Sequence, residues 1–329
     1  MAILLTGGTG FVGLNIVEAL LRAGRDVVVL DTGPVPPAAE AEFAALPGRL
    51  CHVAGDVRDP ASFERAFAAA PIDALIHAAA VTAGSEREGS DPAIIAEVNL
   101  LGTIRALTAA HGAGVSRVVV LSTGSVYGEA GQAEEGVLDE AVQRPVPNNL
   151  YGISKYAAER SSLRLAELWG LDLRVGRPAV VFGCWERETG YRDGMSLVLQ
   201  ATRAAERGEA VAIAAQGPED WIYAPDLAAS VIALLDAETP LRRVYNLGTG
   251  QTWPLSAWCE RLRIAFPGFS YRVAATQKEA TLSVLSASSI RAPFRAAAVR
   301  DELSFVPQYD LARAFDHYIE WRRAHRTIG

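Results

Sequence analysis

The chain holds 329 residues, half of them hydrophobic, and carries a formal net charge of -7. That length suits one large core with a smaller companion, since single cores stop growing near ~250 to 300 residues. The acidic balance argues against nucleic acid or an anionic membrane as partner, because both require a basic footprint, and leaves a small molecule as the expected ligand.

Met1 is followed at once by Ala-Ile-Leu-Leu-Thr and then by glycines, which leaves no room for a secretory leader, and no run approaches the ~18 apolar residues of a membrane span. A cytoplasmic protein is expected. Cys51, Cys184 and Cys259 are odd in number, widely separated and in no C-x-x-C spacing, so neither a disulfide framework nor a metal site is indicated.

Short, almost wholly apolar runs at Ala2 to Thr6, Asp26 to Leu30, Leu50 to Val53, Ala74 to His77, Arg117 to Ser122 and Asp172 to Val175 read as strands. They alternate with longer amphipathic stretches, so the expected fold class is α/β, a doubly wound parallel sheet with helices on both faces. Phe11 to Ala23 reads as a helix stopped by a left-handed cap at Gly24, and Asp91-Pro92 opens another that reaches about His111 and Gly112. Pro34 to Ala45 is a Pro/Ala/Glu-rich loop leading into a helix, and no internal repeat is visible. Past Val175, Arg177-Pro178 breaks the periodicity and Gly183 to Asp193 reads as a polar loop. Helices follow near Ser196 to Arg207, Pro225 to Asp236, Pro254 to Phe266 and Leu311 to Arg323, with Val244 to Leu247 as a strand returning to the main sheet. The expected division is therefore 1–177, rejoined by 220–250, and a smaller discontinuous domain from 178–219 and 251–329.

Thr6-Gly7-Gly8-Thr9-Gly10-Phe11-Val12-Gly13 lies between the first strand and the first helix. Glycines there let the backbone approach a pyrophosphate whose charge the helix N-terminus favours. Asp31 ends the second strand, 18 residues beyond Gly13, where a carboxylate accepts from ribose hydroxyls and repels a 2′-phosphate. With Thr32 and Gly33 next to it rather than an arginine, NAD is expected over NADP.

Tyr151 and Lys155 stand four apart on one helix face that continues through Ala157, Ala158 and Glu159. An ammonium beside a phenol stabilises the phenolate, and an oxidised nicotinamide adds a second positive charge, so Tyr151 becomes a usable general base toward a substrate hydroxyl.

These motifs follow a fixed order: the glycine turn, Asp31, Gly55-Asp56-Val57, His77-Ala78-Ala79-Ala80, Ser122-Thr123-Gly124-Ser125-Val126-Tyr127-Gly128, Tyr151 to Lys155, Asp220-Trp221-Ile222-Tyr223 to Asp226, and Tyr245-Asn246-Leu247-Gly248. In this the chain resembles the extended short-chain dehydrogenases/reductases, in their NAD-dependent epimerase/dehydratase branch. The resemblance implies a Rossmann domain that holds NAD along Gly7, Thr9, Gly10, Phe11, Val12 and Gly13, with Asp56 and Val57 at the adenine. Ala78, Ala79, Ala80 and Leu121 would line the cofactor, Pro178 and Val180 would flank the nicotinamide, and Tyr151 and Lys155 would reach it too. Asn99, on the helix beside the active site, is counted with the cofactor contacts or positions the catalytic network. Thr123 is the hydroxyl implied to bond the reacting oxygen, with Ser122 and Ser125 as neighbouring substitutes, whereas His77 packs on the cofactor rather than reacting. A homodimer through Ala93 to His111 and Tyr151 to Trp169 is implied as well, carried by Ile94, Ile95, Val98, Leu101, Leu107, Leu163, Leu165 and Leu168.

Two departures bear on the substrate. Dehydratases of the family carry Asp-Glu where this chain has Gly124 and Ser125, which speaks against elimination of water. Nucleotide-sugar epimerases usually carry an arginine where Glu219 stands, and a carboxylate repels a substrate diphosphate, unless Arg174, Arg177 or a shifted loop compensates. In the loop Trp185 to Asp193, Arg187 or Arg192 could clamp a substrate carboxylate, and Thr82 and Ser85 are further candidate contacts. Three readings stand: an NAD-dependent dehydrogenase oxidising a secondary alcohol of a sugar or sugar acid, taken as leading; a sugar or nucleotide-sugar epimerase with tightly held NAD; and a non-catalytic NAD-binding regulator.

Overall fold

The structure, a computed structural model, describes residues 2–129, 136–215, 217–283 and 292–325. Its strands in chain order are β1 (Ala2–Thr6), β2 (Asp26–Asp31), β3 (Leu50–Ala54), β4 (Ile72–His77), β5 (Arg117–Leu121), β6 (Asp172–Pro178), β7 (Val180–Phe182), β8 (Ala210–Ile213), β9 (Glu219–Tyr223), β10 (Val244–Leu247), β11 (Thr252–Trp253) and β12 (Ser270–Val273). The α-helices are α1 (Phe11–Arg22), α2 (Pro37–Phe43), α3 (Pro60–Ala69), α4 (Ser85–Ser90), α5 (Pro92–Ala96), α6 (Thr103–Gly112), α7 (Leu150–Trp169), α8 (Leu197–Arg207), α9 (Ala224–Asp236), α10 (Leu255–Ala265), α11 (Ala297–Leu303) and α12 (Leu311–Ala324).

A seven-stranded parallel sheet in the order β10-β6-β5-β4-β1-β2-β3 forms the centre. The chain steps outward from β1 to β3, then returns beside β1 as β4 and steps the other way. Connections leaving the carboxyl ends of β1 and β4 diverge and open a crevice there, the place where such sheets take their ligands. Alternate strand residues point to opposite faces. Ile3, Leu5, Val27, Val29 and Ile76 pack with α1 and α9, while Ala2, Leu4, Val28, Leu30 and Leu75 pack with α3, α6 and α7. Neither face meets water, which explains why these strands show unbroken apolar runs rather than alternation.

The helix opened by Asp91-Pro92 forms, with the Asp91 side chain accepting from the Ile94 N–H. It is not regular: α5 passes into a π-helical turn over Glu97–Gly102 before α6 begins. At that turn Gly102 packs on Val57, whose Cγ2 would stand 2.8 Å from an added Cβ. By length and composition the run Pro92–Gly112 is apolar enough to cross a membrane, which corrects the expectation that no segment approaches one. In this fold Ile95, Val98, Ala106, Leu107 and Ala110 are buried against the sheet and its helices.

After β6 the chain leaves the main sheet at Ala179, and β7 joins a three-stranded sheet in the order β11-β9-β7. Phe182, Trp221, Trp253 and Trp258 meet there edge to face or stacked, and β8 pairs with β12 nearby. None of β7, β8, β9, β11 and β12 is among the strands read from the sequence; each has five residues or fewer, and they lie outside the regular strand-helix alternation that marks the main sheet. As expected, Gly183 to Asp193 forms no helix or strand, and β10 returns to pair with β6.

Candidate active site

The crevice encloses about 700 Å³. Its floor is the glycine turn. Gly7 has φ +72°, a left-handed conformation open to glycine, and a Cβ there would lie 2.7 Å from the Ala79 backbone. At Gly13 a Cβ would lie 2.0 Å from the Gly7 carbonyl oxygen, so α1 can approach β1 this closely only without a side chain. The Gly10 cap of α1 supplies no side-chain hydrogen bond, and the first-turn amides face the cleft. Asp31 accepts from the Thr9 N–H (2.9 Å) and the Gly33 N–H (3.3 Å) at its rim. Gly10, Phe11, Val12, Val57, Ala78, Ala79, Ala80, Leu121, Pro178 and Val180 line the same cleft, as does Asp56. The Arg58 guanidinium pairs with Asp56 and holds its carboxyl below the usual range. Such a bare, amide-lined turn beside a ribose-height carboxylate fits a dinucleotide.

The opposite wall carries the proton-handling groups. The Asn149 side chain caps α7 by accepting from the Gly152 N–H (2.8 Å), and one helical turn brings both Tyr151 and Lys155 to the cleft, where Thr123 and Ser125 also lie. Lys155 is 2 % exposed; burial pulls its ammonium down to about 8, against the Glu159 carboxylate, which raises it. Thr123 caps a short 3-10 turn, its oxygen accepting from the Ser125 N–H (3.1 Å), which leaves the hydroxyl hydrogen to donate.

Asn99 is buried beside the cleft, with its amide fully engaged by protein partners. On the π-helical turn, Oδ1 accepts from the Val81 N–H (2.8 Å), and Nδ2 donates to the Val81 carbonyl (3.0 Å) and to Ser154 Oγ (3.1 Å). Ser154 in turn donates to the Tyr151 carbonyl (2.9 Å), so Asn99 braces the first turn of α7. His77 is buried and satisfied. Thr103 Oγ1 gives its hydrogen to the Asn99 carbonyl (2.7 Å), so it accepts from His77 Nε2 (3.0 Å), and Nδ1 accepts from the Thr6 hydroxyl (2.8 Å). Burial, with the Lys155 charge second, presses its imidazolium down to about 3, and the ring stays neutral.

The loop after β7 lands where the sequence does not indicate. Arg187 and Arg192 line the cleft beside the glycine turn, each held by protein partners. Arg187 Nη2 donates to the Thr9 carbonyl (2.7 Å) on the glycine turn. Arg192 is paired with the buried Glu186 (2.8 Å) and lies over the Phe11 ring, 5.2 Å from its centroid. An arginine therefore does stand near Asp31, brought by the fold rather than by sequence adjacency. Thr82 is tied to the loop by its N–H donating to the Tyr191 carbonyl (2.8 Å); Ser85 begins α4 and does not line the cleft. Arg174 and Arg177 are buried on other partners, Arg174 donating to the Leu234 and Leu235 carbonyls and Arg177 pairing with Glu159, so neither compensates for Glu219. The wall also includes Glu219, Trp221, Met195 and Leu197. Trp221 sits in a motif the sequence displays, whereas Met195 and Leu197 belong to no motif and carry no signal.

The sequence profile of the NAD dependent epimerase/dehydratase family matches residues 3–248. Over 98 % of its length the chain is 28 % identical to a UDP-glucose 4-epimerase of Streptomyces lividans, covering 96 % of that protein. Among solved structures it resembles the UDP-glucose 4-epimerase of Thermus thermophilus in complex with NAD (TM-score 0.79, 26 % identity, 99 % and 100 % of the two chains covered). It resembles MoeE5 in complex with UDP-glucose and NAD to a similar degree (TM-score 0.77, 27 % identity, 100 % of both chains covered). With a family profile matched across both the glycine turn and the Tyr-Lys helix, the chain belongs to the NAD dependent epimerase/dehydratase family of enzymes.

Proposed function

We propose that the protein is a sugar epimerase, oxidising a secondary alcohol of its bound sugar and reducing the resulting ketone from the other face, with no net redox change. The observation that carries this reading is the meeting of Tyr151, Lys155 and Thr123 with the glycine turn and Asp31 in one cleft. Likeness to UDP-glucose 4-epimerases over nearly the whole chain favours epimerisation over net oxidation.

In this reading the first-turn amides of α1 take the cofactor diphosphate, Asp31 the adenosine ribose, Asp56 and Val57 the adenine, and Pro178 and Val180 the nicotinamide. NAD, when bound, supplies the acceptor for the hydride of the carbinol C–H bond and its donor on return. Tyr151, which shares the cleft with Lys155, removes the hydroxyl proton as the C–O bond becomes a carbonyl, and gives it back when the alcohol re-forms. Thr123 donates its hydroxyl hydrogen to the reacting oxygen. Dehydration is disfavoured by the absence of an acid at Gly124, where a Cβ would lie 2.7 Å from Phe294 Cζ and require that ring to shift.

A second reading, a dehydrogenase acting on a free sugar or sugar acid with release of NADH, is favoured by Glu219 in the cleft wall. We further read residues 1–177 with 220–250 as the NAD-binding domain and 178–219 with 251–329 as the substrate domain. We place the enzyme in the cytoplasm as a homodimer through Pro92–Gly112 and α7, where Leu101, Ile153 and Leu168 are exposed.

The test is incubation with UDP-sugars, free aldoses, uronates and aldonates, following absorbance of NADH and separating isomers by chromatography. An epimer formed without sustained NADH is expected, and Tyr151→Phe should lower turnover by ~10²- to 10⁴-fold while leaving NAD affinity unchanged. Stoichiometric NADH with a free sugar acid and no epimer would replace this reading by the second.

A further inference from the structure

The segment between β7 and α8 crosses the dinucleotide half of the cleft and is fastened on every side. Its start is buried: Trp185, with φ +64° in a region that side chains rarely adopt, donates its indole N–H to Glu18 (2.8 Å), and Asn15 donates to the Cys184 carbonyl (2.8 Å). Next to it, Glu186 accepts from the Ser196 N–H and hydroxyl, both at 2.6 Å, and from Arg192. At the far end Asp193 pairs with Arg87 and accepts from the Gly84 N–H (2.9 Å). Between these anchors the Thr32 hydroxyl donates to the Tyr191 hydroxyl (3.3 Å), above Asp31.

Within this strap one group is unfinished. Arg187 Nη2 bonds the Thr9 carbonyl, yet Nη1 is buried with no hydrogen-bond partner among the described residues. A buried guanidinium nitrogen without an acceptor is costly and calls for an explanation. Burial also depresses the Arg187 cation, offset in part by the Asp31 carboxylate. The residue lies between the glycine turn and Asp31, the proposed positions of the diphosphate and the ribose.

We propose that Arg187 is a cofactor-binding residue, its Nη1 donating to an anionic oxygen of the phosphate on the adenosine side of the dinucleotide and so closing the strap over it. The inference rests on reading the cleft as a dinucleotide site. Asp31 excludes a phosphate on the ribose 2′ position, and Arg192, committed to Glu186, leaves this role to Arg187.

Titration calorimetry of protein freed of nucleotide tests it, with NAD+, ADP-ribose, AMP, adenosine and NADP+ as ligands. Arg187→Met should weaken NAD+, ADP-ribose and AMP by about 10- to 100-fold and leave adenosine unchanged. Arg187→Lys, which keeps the charge without the planar fork, should fall between the two, and serves alone if the methionine variant does not fold. Equal affinities in wild type and both variants overturn the proposal, as does an equal loss for adenosine and AMP. Tight wild-type binding of NADP+ that disappears with Arg187 overturns it in favour of a 2′-phosphate site. Failure of the wild type to bind NAD+ or ADP-ribose at all overturns the dinucleotide reading itself.

Discussion

Lys155 lies in the cleft wall and His77 is buried outside the cleft lining, where the Lys155 charge disfavours an imidazolium. Lys155 keeps an ammonium because Glu159 supports it, while His77 pairs with two hydroxyls and stays neutral. The imidazole is held near 3 when folded against an ordinary 6.5, so above 6.5 neither state binds the proton and the pairing contributes in full. As pH falls below 6.5 the unfolded chain takes up a proton that the folded one refuses, and stability drops by up to about 1.4 kcal/mol per pH unit toward pH 3. Replacing His77 with Gln removes this proton. In urea unfolding from pH 7 to pH 4, wild type should therefore lose stability faster than His77→Gln, and parallel curves would show that the ring is not kept neutral.

Among the elements, α1 depends most on an absence of side chains. Elsewhere in a helix, Gly to Ala stabilises by up to ~1 kcal/mol. At Gly13 the added methyl would meet the Gly7 carbonyl at 2.0 Å and Gly8 Cα at 2.7 Å, whereas at Gly10 it would meet the Gly7 carbonyl at 3.3 Å. Gly13→Ala should push α1 off the turn, lowering both stability and NAD affinity, and Gly10→Ala should spare stability; equilibrium unfolding and calorimetry on the pair would expose an outcome in which Gly13→Ala behaves as the milder change. The π-helical turn makes a comparable local adjustment: an irregular turn re-aims Asn99 at Val81 and Ser154, so that α7 presents Tyr151 from a braced first turn.

Across the whole molecule, a buried polar chain joins the parts that form the cleft. Arg177 in β6 pairs with Glu159 in α7 and donates to the Tyr127 hydroxyl (2.9 Å), Tyr127 donates to Asn246 in β10 (2.8 Å), and Asn246 donates to the Leu138 carbonyl (2.9 Å). Breaking one partner of a buried pair leaves an uncompensated charge, which costs more than the pair itself contributes. Arg177→Met should therefore destabilise by about 3 to 5 kcal/mol, and adding Glu159→Leu should recover much of the loss. Denaturant titrations of the two variants check this, and a single substitution costing under ~1 kcal/mol would sink the idea.

What was legible without coordinates is what short-range physics encodes. Left-handed or side-chain-free backbone at Gly7 and Gly13, the four-residue spacing of Tyr151 and Lys155, and the largely buried strands β1, β2, β4, β5 and β6 all follow from sterics and periodicity within a few residues. Only the tertiary structure decided where Arg187 and Arg192 reach, what Asn99 bonds, that Gly124 lies against Phe294, and that an arginine stands near Asp31. A long charged side chain on a loop is placed by the sum of contacts from segments more than 100 residues away, as Arg187 is by Thr9. No local pattern records that sum, whereas a glycine in a tight turn or a phenol one helical turn from an ammonium announces its constraint where it stands.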